Sequence, residues 1–496
     1  MRCLAGLLSV LVLAGIGNEA RADDDPLKPA LALQAAIEKA IAKAEPSIAC
    51  ILVSRSDKYR DREMVAFQHI RPDGQPGHLG DFDFERARLK YEFDRTMLSL
   101  AKRLDLAAPE HVPDSYGSGV VIDTSGLILT NYHVVKDARK IYVRMPHQNG
   151  SYADIFAADE RSDLAVLKLI SPPENLVALP LGDAGKLRKG QFILALANPH
   201  AAGFRDGSPS ASWGILSNLR RRLPGEANEI DLRRPRLHYY ATLLQTDFRL
   251  NLGSSGGALL DLHGNWVGLT TSQAALAGGE AAGGFAIPLD ARMRRIIDTL
   301  RRGEEVEYGF LGISLNNGSD SPIVRGVAPN GPAARANLIP GARILKINDE
   351  PINEADDLLF HIAANLAGTE VRIEFLPYQR GDKVVGKCAL VKAFWPAAGP
   401  VIAARRPEPV LGMRVDYTST LIRAAGGNEL APGVVVREVT PGSPAAKAGL
   451  KPESDIIIAV NGRDVNTPRE FYDAAGKNPA SLELLLSDPV RKVRIP

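Results

Sequence analysis

Between about residue 115 and residue 290 the chain is a succession of short apolar runs broken by Gly, Pro, Asn and Asp. This pattern narrows the fold more than any other feature. The runs include Gly119-Val-Val-Ile122, Leu127-Ile-Leu129, Ile141-Tyr-Val143, Leu164-Ala-Val-Leu167, Phe192-Ile-Leu-Ala-Leu196 and Trp266-Val-Gly-Leu269. Each is too short for a packed helix, and all are bounded by turn residues, so the region reads as an all-β barrel or sandwich. Two helical stretches frame it. Residues 30–44 have helical composition and end before Glu45-Pro46, and the strand-like segment 47–54 follows with Cys50 inside it. Residues 291–302 read as a second helix, stopped by Gly303.

Beyond that helix the chain repeats itself. Phe310-Leu-Gly-Ile313 recurs as Val410-Leu-Gly-Met413, Val327-Ala-Pro-Asn-Gly-Pro-Ala-Ala334 as Val439-Thr-Pro-Gly-Ser-Pro-Ala-Ala446, and Ile344-Leu-Lys-Ile-Asn348 as Ile457-Ile-Ala-Val-Asn461. The offset grows from 100 to 112 or 113 residues, so the second copy carries extra residues between Gly412 and Val439. Each copy is long enough for one small domain. The Pro/Ala-rich stretch between them is expected to be a semi-extended linker. The resulting division is 1–22, 23–45 (helical), 46–302 (all-β, with an insertion at about 55–114), 303–394 (first repeat), 395–408 (linker) and 409–496 (second repeat). Within the insertion Leu89, Phe93, Met97, Leu100 and Leu104 are spaced as on an amphipathic helix, expected to pack on the β domain.

Residues 1–22 have the form of a cleavable export signal. Arg2 precedes an apolar run to Ile16, then Ala20-Arg21-Ala22 and an acidic break. The run is shorter than the roughly 20 residues that span a bilayer, so no stable membrane span is expected after cleavage. The whole chain has 60 basic and 58 acidic side chains; the leader removes Arg2, Arg21 and Glu19, leaving 58 against 57. Near neutrality gives no support to nucleic acid as a partner, and the clusters Arg220-Arg221-Arg222 and Arg233-Arg234-Pro235-Arg236 read as solvated loops. Cys50 and Cys388 fall in different domains and read as buried free thiols. The nine histidines show no metal-ligand spacing, so neither a metal nor another cofactor is expected.

Three segments carry candidate chemistry. His133 follows the strand Leu127-Ile-Leu129 and opens a helical turn, which would hold an imidazole on a rigid element. Asp163 precedes the strand beginning at Leu164, where a carboxylate can face another side chain. Ser255 lies in Gly253-Ser254-Ser255-Gly256-Gly257-Ala258, where the Gly253, Ser254 and Ser255 amides can converge on a developing oxyanion. A serine hydroxyl needs a base, and the base needs a partner to fix its tautomer. The three in this order suggest acyl transfer. The order, and the absence of Gly-x-Ser-x-Gly, count against an α/β-hydrolase.

These motifs make the chain resemble the HtrA/Deg family of exported, chymotrypsin-like serine proteases carrying PDZ domains. Gly117-Ser-Gly-Val-Val-Ile122 and Leu127-Ile-Leu-Thr-Asn-Tyr-His-Val-Val135 resemble its histidine segment, and Ser162-Asp-Leu-Ala-Val-Leu-Lys168 its aspartate segment. Leu181-Gly-Asp183, Asn198-Pro199 and Gly284-Phe-Ala-Ile-Pro288 are further markers. The sequence departs from the pattern at Ser254 (commonly Asn), Ala258 (Pro), Ala197 (Gly) and Tyr132 (Asn), none of them a reacting group.

The resemblance implies a mainly β fold: a chymotrypsin-like double β-barrel followed by two PDZ-like α+β domains. It implies His133 as general acid/base, Asp163 as orienting carboxylate and Ser255 as nucleophile. It implies unfolded or damaged proteins as substrates, and a periplasmic or secreted location. It implies carboxylate loops at Phe310-Leu311-Gly312-Ile313 and Val410-Leu411-Gly412-Met413 that capture peptide C-termini. Homo-oligomers, trimers or larger, also follow, although an aromatic contact in the N-terminal segment is not expected. No acid stands near Thr271-Ser272-Gln273 or Gly284-Phe285-Ala286, which favours small or aliphatic P1 side chains. The competing reading is a chaperone-like peptide-binding scaffold whose protease domain is dormant or switchable.

Overall fold

The computed structural model describes residues 27–55, 106–107, 115–221, 237–240, 242–271, 283–315, 321–378, 381–393, 401–421, 430–477, 479–487 and 489–496. The helix expected over 89–104 lies outside them.

The short apolar runs become two closed barrels. In the first, β1 (Ile48–Ser54), β2 (Ser115–Asp123), β3 (Leu127–Asn131), β4 (Lys140–Arg144), β5 (Ser151–Asp159) and β6 (Leu164–Leu169) follow the order β5-β4-β1-β2-β3-β6, and β5 pairs back onto β6. In the second, β7 (Phe192–Ala197), β8 (Ser210–Arg221), β9 (Leu243–Thr246), β10 (Ala258–Asp261), β11 (Trp266–Thr271) and β12 (Phe285–Pro288) close in the order β10-β11-β12-β9-β8-β7. The barrel alternative is therefore realised, twice.

β1 shows why these runs lack a polar face. Its alternate residues Ala49, Ile51 and Val53 fill the first barrel with Val121, Ile128, Val143 and Leu167. Ile48 reaches the core between the barrels, and Cys50 and Leu52 pack with Leu106 and Tyr142 on the outer side. A strand covered on both faces reads as a continuous apolar run, not as an alternation. Both thiols are buried and free, and burial pushes Cys50 up to about 12 and Cys388 up to about 11.

Three helical elements frame the barrels. α1 (Lys28–Ala44) sends Ala40 and Ala44 into the inter-barrel core and ties Lys43 Nζ to the His263 carbonyl at 3.0 Å. α2 (Tyr132–Val135) is the single turn after β3. α3 (Ala291–Arg301) is capped by Asp290, which accepts the N–H groups of Arg292 and Met293. It buries Met293, Ile296, Ile297 and Leu300, and the chain leaves it through Gly303 at φ +77°. Among the described residues no helix is long and apolar enough to cross a membrane.

The two repeats fold into small α+β units with the same internal wiring. In the first, Ala328 N–H donates to the Gly312 carbonyl and Ala333 N–H to the Leu311 carbonyl. In the second, Thr440 N–H donates to Gly412 and Ala445 N–H to Leu411. Each unit also has one longer helix, Ala355–Ala363 and Pro468–Ala475, the latter opened by a Thr467/Glu470 capping box.

The described part of the inter-repeat segment is extended and anchored: Ile402–Ala403 adds a strand to the edge of β5, and Arg405 N–H donates to the Gly303 carbonyl. One expectation about the arginines needs correction. Arg220 is not simply solvated. It reaches Asp357 of the first repeat at 2.8 Å, while Arg221 donates to Gln245.

The repeats meet at an ionic junction. Lys392 Nζ lies 2.9 Å from Glu305, 3.0 Å from Glu307 and 3.0 Å from Asp416, and Arg437 joins Asp416 and Glu305. Burial pushes the Glu307 carboxyl up despite the Lys392 ammonium. Lys392→Met removes the ammonium from Glu307 and leaves Asp416 and Glu305 to share Arg437, and is expected to cost about 3–5 kcal/mol. A group with a raised folded pKa favours folding below its unfolded value and loses that contribution as pH rises. The deficit of the variant is therefore larger at pH 7.5 than at pH 5, which urea melts at the two pH values will test.

Candidate active site

Asn131, the last residue of β3, is extended, and the chain turns at once into α2, so His133 sits at the rim of the first barrel. Arg55 fixes that turn from outside, donating to the Val134 carbonyl at 2.9 Å. Asp163 occupies the residue before β6 in the left-handed region (φ +57°), which Asp tolerates better than most side chains. Its carbonyl accepts the Tyr132 N–H at 2.9 Å and the Asn131 amide at 3.2 Å, so the two turns are locked together. Its carboxylate is fully buried; Oδ1 accepts the His133 backbone N–H at 3.0 Å and Oδ2 meets His133 Nδ1 at 2.7 Å.

Ser255 reaches the same point from the second barrel, on the loop entering β10. Its Oγ lies 2.9 Å from His133 Nε2. With Nδ1–H directed at Asp163, Nε2 carries the lone pair facing the hydroxyl. Burial pushes the Asp163 carboxyl up, but the His133 imidazole and its hydrogen bonds, and the neighbouring His238 imidazole, outweigh burial and hold it below its usual range. Such a line of groups can take a proton from Ser255 and stabilise the resulting imidazolium.

The glycines around Ser255 are required by close approach. A Cβ on Gly256 (φ +88°) would stand 2.0 Å from the Ser118 carbonyl oxygen, and one on Gly257 2.6 Å from Ala197 Cβ. Gly253 (φ +93°) lies against the Asn198 carbonyl, 2.5 Å from where its Cβ would be. Ser118 Oγ donates to the Gly253 carbonyl, and Ser118 N–H to that of Ser255, each at 2.7 Å. Thr270 Oγ1 donates to the Ser254 carbonyl at 2.5 Å.

One expected donor is otherwise engaged. The Ser254 N–H donates to the Asn251 carbonyl at 3.0 Å inside the turn, so of the three amides only those of Gly253 and Ser255 are carried forward as an oxyanion pair. Gly253→Ala forces a side chain onto a positive φ and against Asn198. It is expected to cut kcat by about 10²–10³-fold and, through the strain, to lower the melting temperature as well while leaving a cooperative melt. A fall in melting temperature without loss of kcat would refute the role given to this loop.

Supporting residues were harder to read from sequence. Ser118 and Thr270 were not singled out; the small residues of Gly117-Ser-Gly were the available signal for Ser118, and Thr270 had none. Of the specificity wall, Leu250 packs against Gly284, Thr271 is buried, and Ser272 and Gln273 lie outside the described residues.

The two repeat loops differ. Phe310 is half-buried, Leu311 is buried, Gly312 has φ +80°, and Ile313 starts a strand paired with Val327. In the second copy Leu411 and Gly412 both have positive φ, and Val410 and Met413 exchange backbone hydrogen bonds at 2.9 Å. That exchange uses the Met413 amide within the loop.

The chain has clear relatives. A family model described as a trypsin-like peptidase domain matches residues 117–269, and two PDZ domain models match 309–385 and 435–486. The chain is 30% identical over 452 residues to a "Probable periplasmic serine endoprotease DegP-like" of Pseudomonas putida (strain W619), covering 88% of this chain and 86% of the relative. It is 32% identical over 387 residues to the "Periplasmic pH-dependent serine endoprotease DegQ" of Escherichia coli (strain K12), covering 75% and 78%. Among solved structures, "HtrA-type protease AlgW with tripeptide" is 25% identical and covers 73% of this chain and 99% of that one, with a TM-score of 0.48.

Proposed function

We propose a function for this chain from one fact: it belongs to the HtrA/DegP-like family of serine endoproteases with a trypsin-like domain and tandem PDZ domains. The activity is that of a serine endopeptidase. In our reading His133 is the general acid/base, Asp163 holds its tautomer and Ser255 is the nucleophile, with the Gly253 and Ser255 amides receiving the oxyanion. The observation that carries this reading is the continuous line from Asp163 Oδ2 through His133 to Ser255 Oγ, at 2.7 and 2.9 Å.

The proposed steps follow from that line. His133 Nε2 takes the hydroxyl proton as Oγ attacks a peptide carbonyl, then returns it to the leaving amine. Water enters by the same route in reverse to release the acyl group.

The substrates we propose are unfolded or damaged proteins, with small or aliphatic P1 side chains. The domains are residues 46–302 for the protease and 303–394 and 409–496 for the PDZ units, joined by 395–408. We assign peptide capture to Phe310, Leu311, Gly312 and Ile313 of the first PDZ unit. Val410, Leu411, Gly412 and Met413 form the weaker site, because the Met413 amide is already bonded. The names of the relatives favour the periplasm, reached through a cleaved leader over residues 1–22, and assembly into homo-oligomers is part of the reading.

Labelling of the mature protein with a fluorophosphonate, followed by peptide mapping, tests the reading. Adduct on Ser255 with and without an unfolded protein supports a constitutively competent enzyme. Adduct only with the unfolded protein supports a switchable one. Absence of adduct in both refutes the protease reading in favour of a binding scaffold.

A further inference from the structure

The second PDZ unit is longer than the first between Gly412 and Val439, and Leu430 belongs to that extra length. Leu430 is buried not in the core of its own unit but against the first one, in a cluster with Ala328, Val391, Tyr417 and the half-buried Phe310. Its N–H donates to the Pro329 carbonyl at 3.1 Å, and its Cδ1 stands 3.3 Å from where a Cβ on Gly331 would be. Thr418 Oγ1 donates to the Ala431 carbonyl and Ser419 Oγ to the Lys392 carbonyl, each at 2.7 Å. The extra stretch is thus tied to itself and to the first unit.

The turn under Leu430 is the one that holds the loop Phe310-Leu311-Gly312-Ile313. Ala328 N–H donates to the Gly312 carbonyl at 2.8 Å, and Ala333 N–H to the Leu311 carbonyl at 2.9 Å. In a trans peptide the C=O and N–H point opposite ways, so the Gly312 and Ile313 N–H groups are directed away from the turn. Among the described residues the Gly312 N–H meets no acceptor. The same cluster fixes the start of the loop, because Phe310 pairs with Val391 in a two-stranded ladder. Loop amides that capture a terminal carboxylate bind more tightly when they are held in place before the ligand arrives.

We propose that Leu430 of the second PDZ unit is a positioning residue for peptide capture by the first: packed on the turn at Pro329 and Gly331, it holds the Gly312 and Ile313 amides ready for a terminal carboxylate. The inference rests on the assignment of peptide capture to Phe310, Leu311, Gly312 and Ile313. It makes the two units one binding device. By linkage, a peptide C-terminus bound at the first unit tightens its seam with the second.

The test uses the full mature chain carrying Ser255→Ala, so that no peptide is cut. The probes are a fluorescein-labelled peptide ending in Val with a free carboxylate, and the same peptide amidated. Leu430→Ala is expected to weaken binding of the free-carboxylate peptide about tenfold. Leu430→Met keeps the bulk and stays within about threefold. Gly312→Ala places a side chain at φ +80° and removes binding, and adding Leu430→Ala to it has no further effect. In hydrogen exchange without the Leu430 substitution, saturating free-carboxylate peptide slows exchange of the Leu430 N–H by a factor comparable to the loss of affinity in Leu430→Ala, as reciprocity requires.

An unchanged affinity in a Leu430→Ala protein that still melts cooperatively would overturn the proposal. So would Leu430 exchange that is indifferent to the peptide, a result read on the unaltered seam and independent of how the variant folds. An amidated peptide that binds as tightly as the free carboxylate would instead refute carboxylate capture at the first loop, and the role of Leu430 would fall with it.

Discussion

Ser255→Ala is expected to lower kcat/KM on unfolded casein by about 10⁵-fold or more, equivalent to roughly 7 kcal/mol of transition-state stabilisation. The size follows from the line of groups. Once the hydroxyl 2.9 Å from His133 Nε2 is gone, His133 and Asp163 have no nucleophile to serve. What survives is the catalysis that binding and the oxyanion amides provide alone.

The same substitution should leave the fold nearly untouched. The Ser255 backbone is held by the Ser118 N–H at 2.7 Å, and the adjoining Gly256 N–H donates to the Thr270 carbonyl at 2.9 Å; neither contact involves the missing oxygen. A thermal melt close to wild type with abolished casein cleavage is the expected pair of results. Cleavage within tenfold of wild type would sink the assignment of Ser255. Loss of the melt transition would point instead to a structural role for the hydroxyl.

The contrast between the triad and its supports shows what a sequence can reveal. His133, Asp163 and Ser255 each stand beside a local signal: a strand end, a turn before a strand, a glycine cluster. The strands were legible for the same reason, since runs covered on both faces are apolar throughout and short. Pairing order was not. That β5 closes onto β6, and that Ile402–Ala403 returns to β5, depends on contacts between segments up to some 240 residues apart in the chain.

Groups whose role is set by burial were equally silent. Ser118 and Thr270 are ordinary small polar residues until their hydroxyls are placed against the Gly253 and Ser254 carbonyls. The Ser254 amide illustrates the opposite error. Its position in the motif suggested an oxyanion donor, and the turn it belongs to directs it to Asn251.

Asp163→Asn is expected to cost about 10⁴-fold in kcat while preserving the geometry of the site. The replacement is nearly isosteric, and its side-chain oxygen can still accept the His133 backbone N–H now bonded at 3.0 Å. Its amide nitrogen then faces Nδ1. Two donors cannot share that contact, so the ring takes the other tautomer, with the proton on Nε2 pointing at Ser255. A nitrogen already carrying a proton cannot accept one from the hydroxyl.

The stability of this variant has its own signature. The wild-type carboxyl is held below its usual range by the His133 and His238 imidazoles. A group with a depressed pKa contributes stability above its unfolded value, near pH 4, and gives it up as pH falls through the folded value. Asn does not titrate, so the acid limb of the stability profile should be shallower in the variant, while kcat stays low at every pH where the wild type is active. Kinetics from pH 5 to 9 with melts from pH 3 to 7 test both halves. A loss in kcat smaller than tenfold would mean that Asp163 does not select the His133 tautomer.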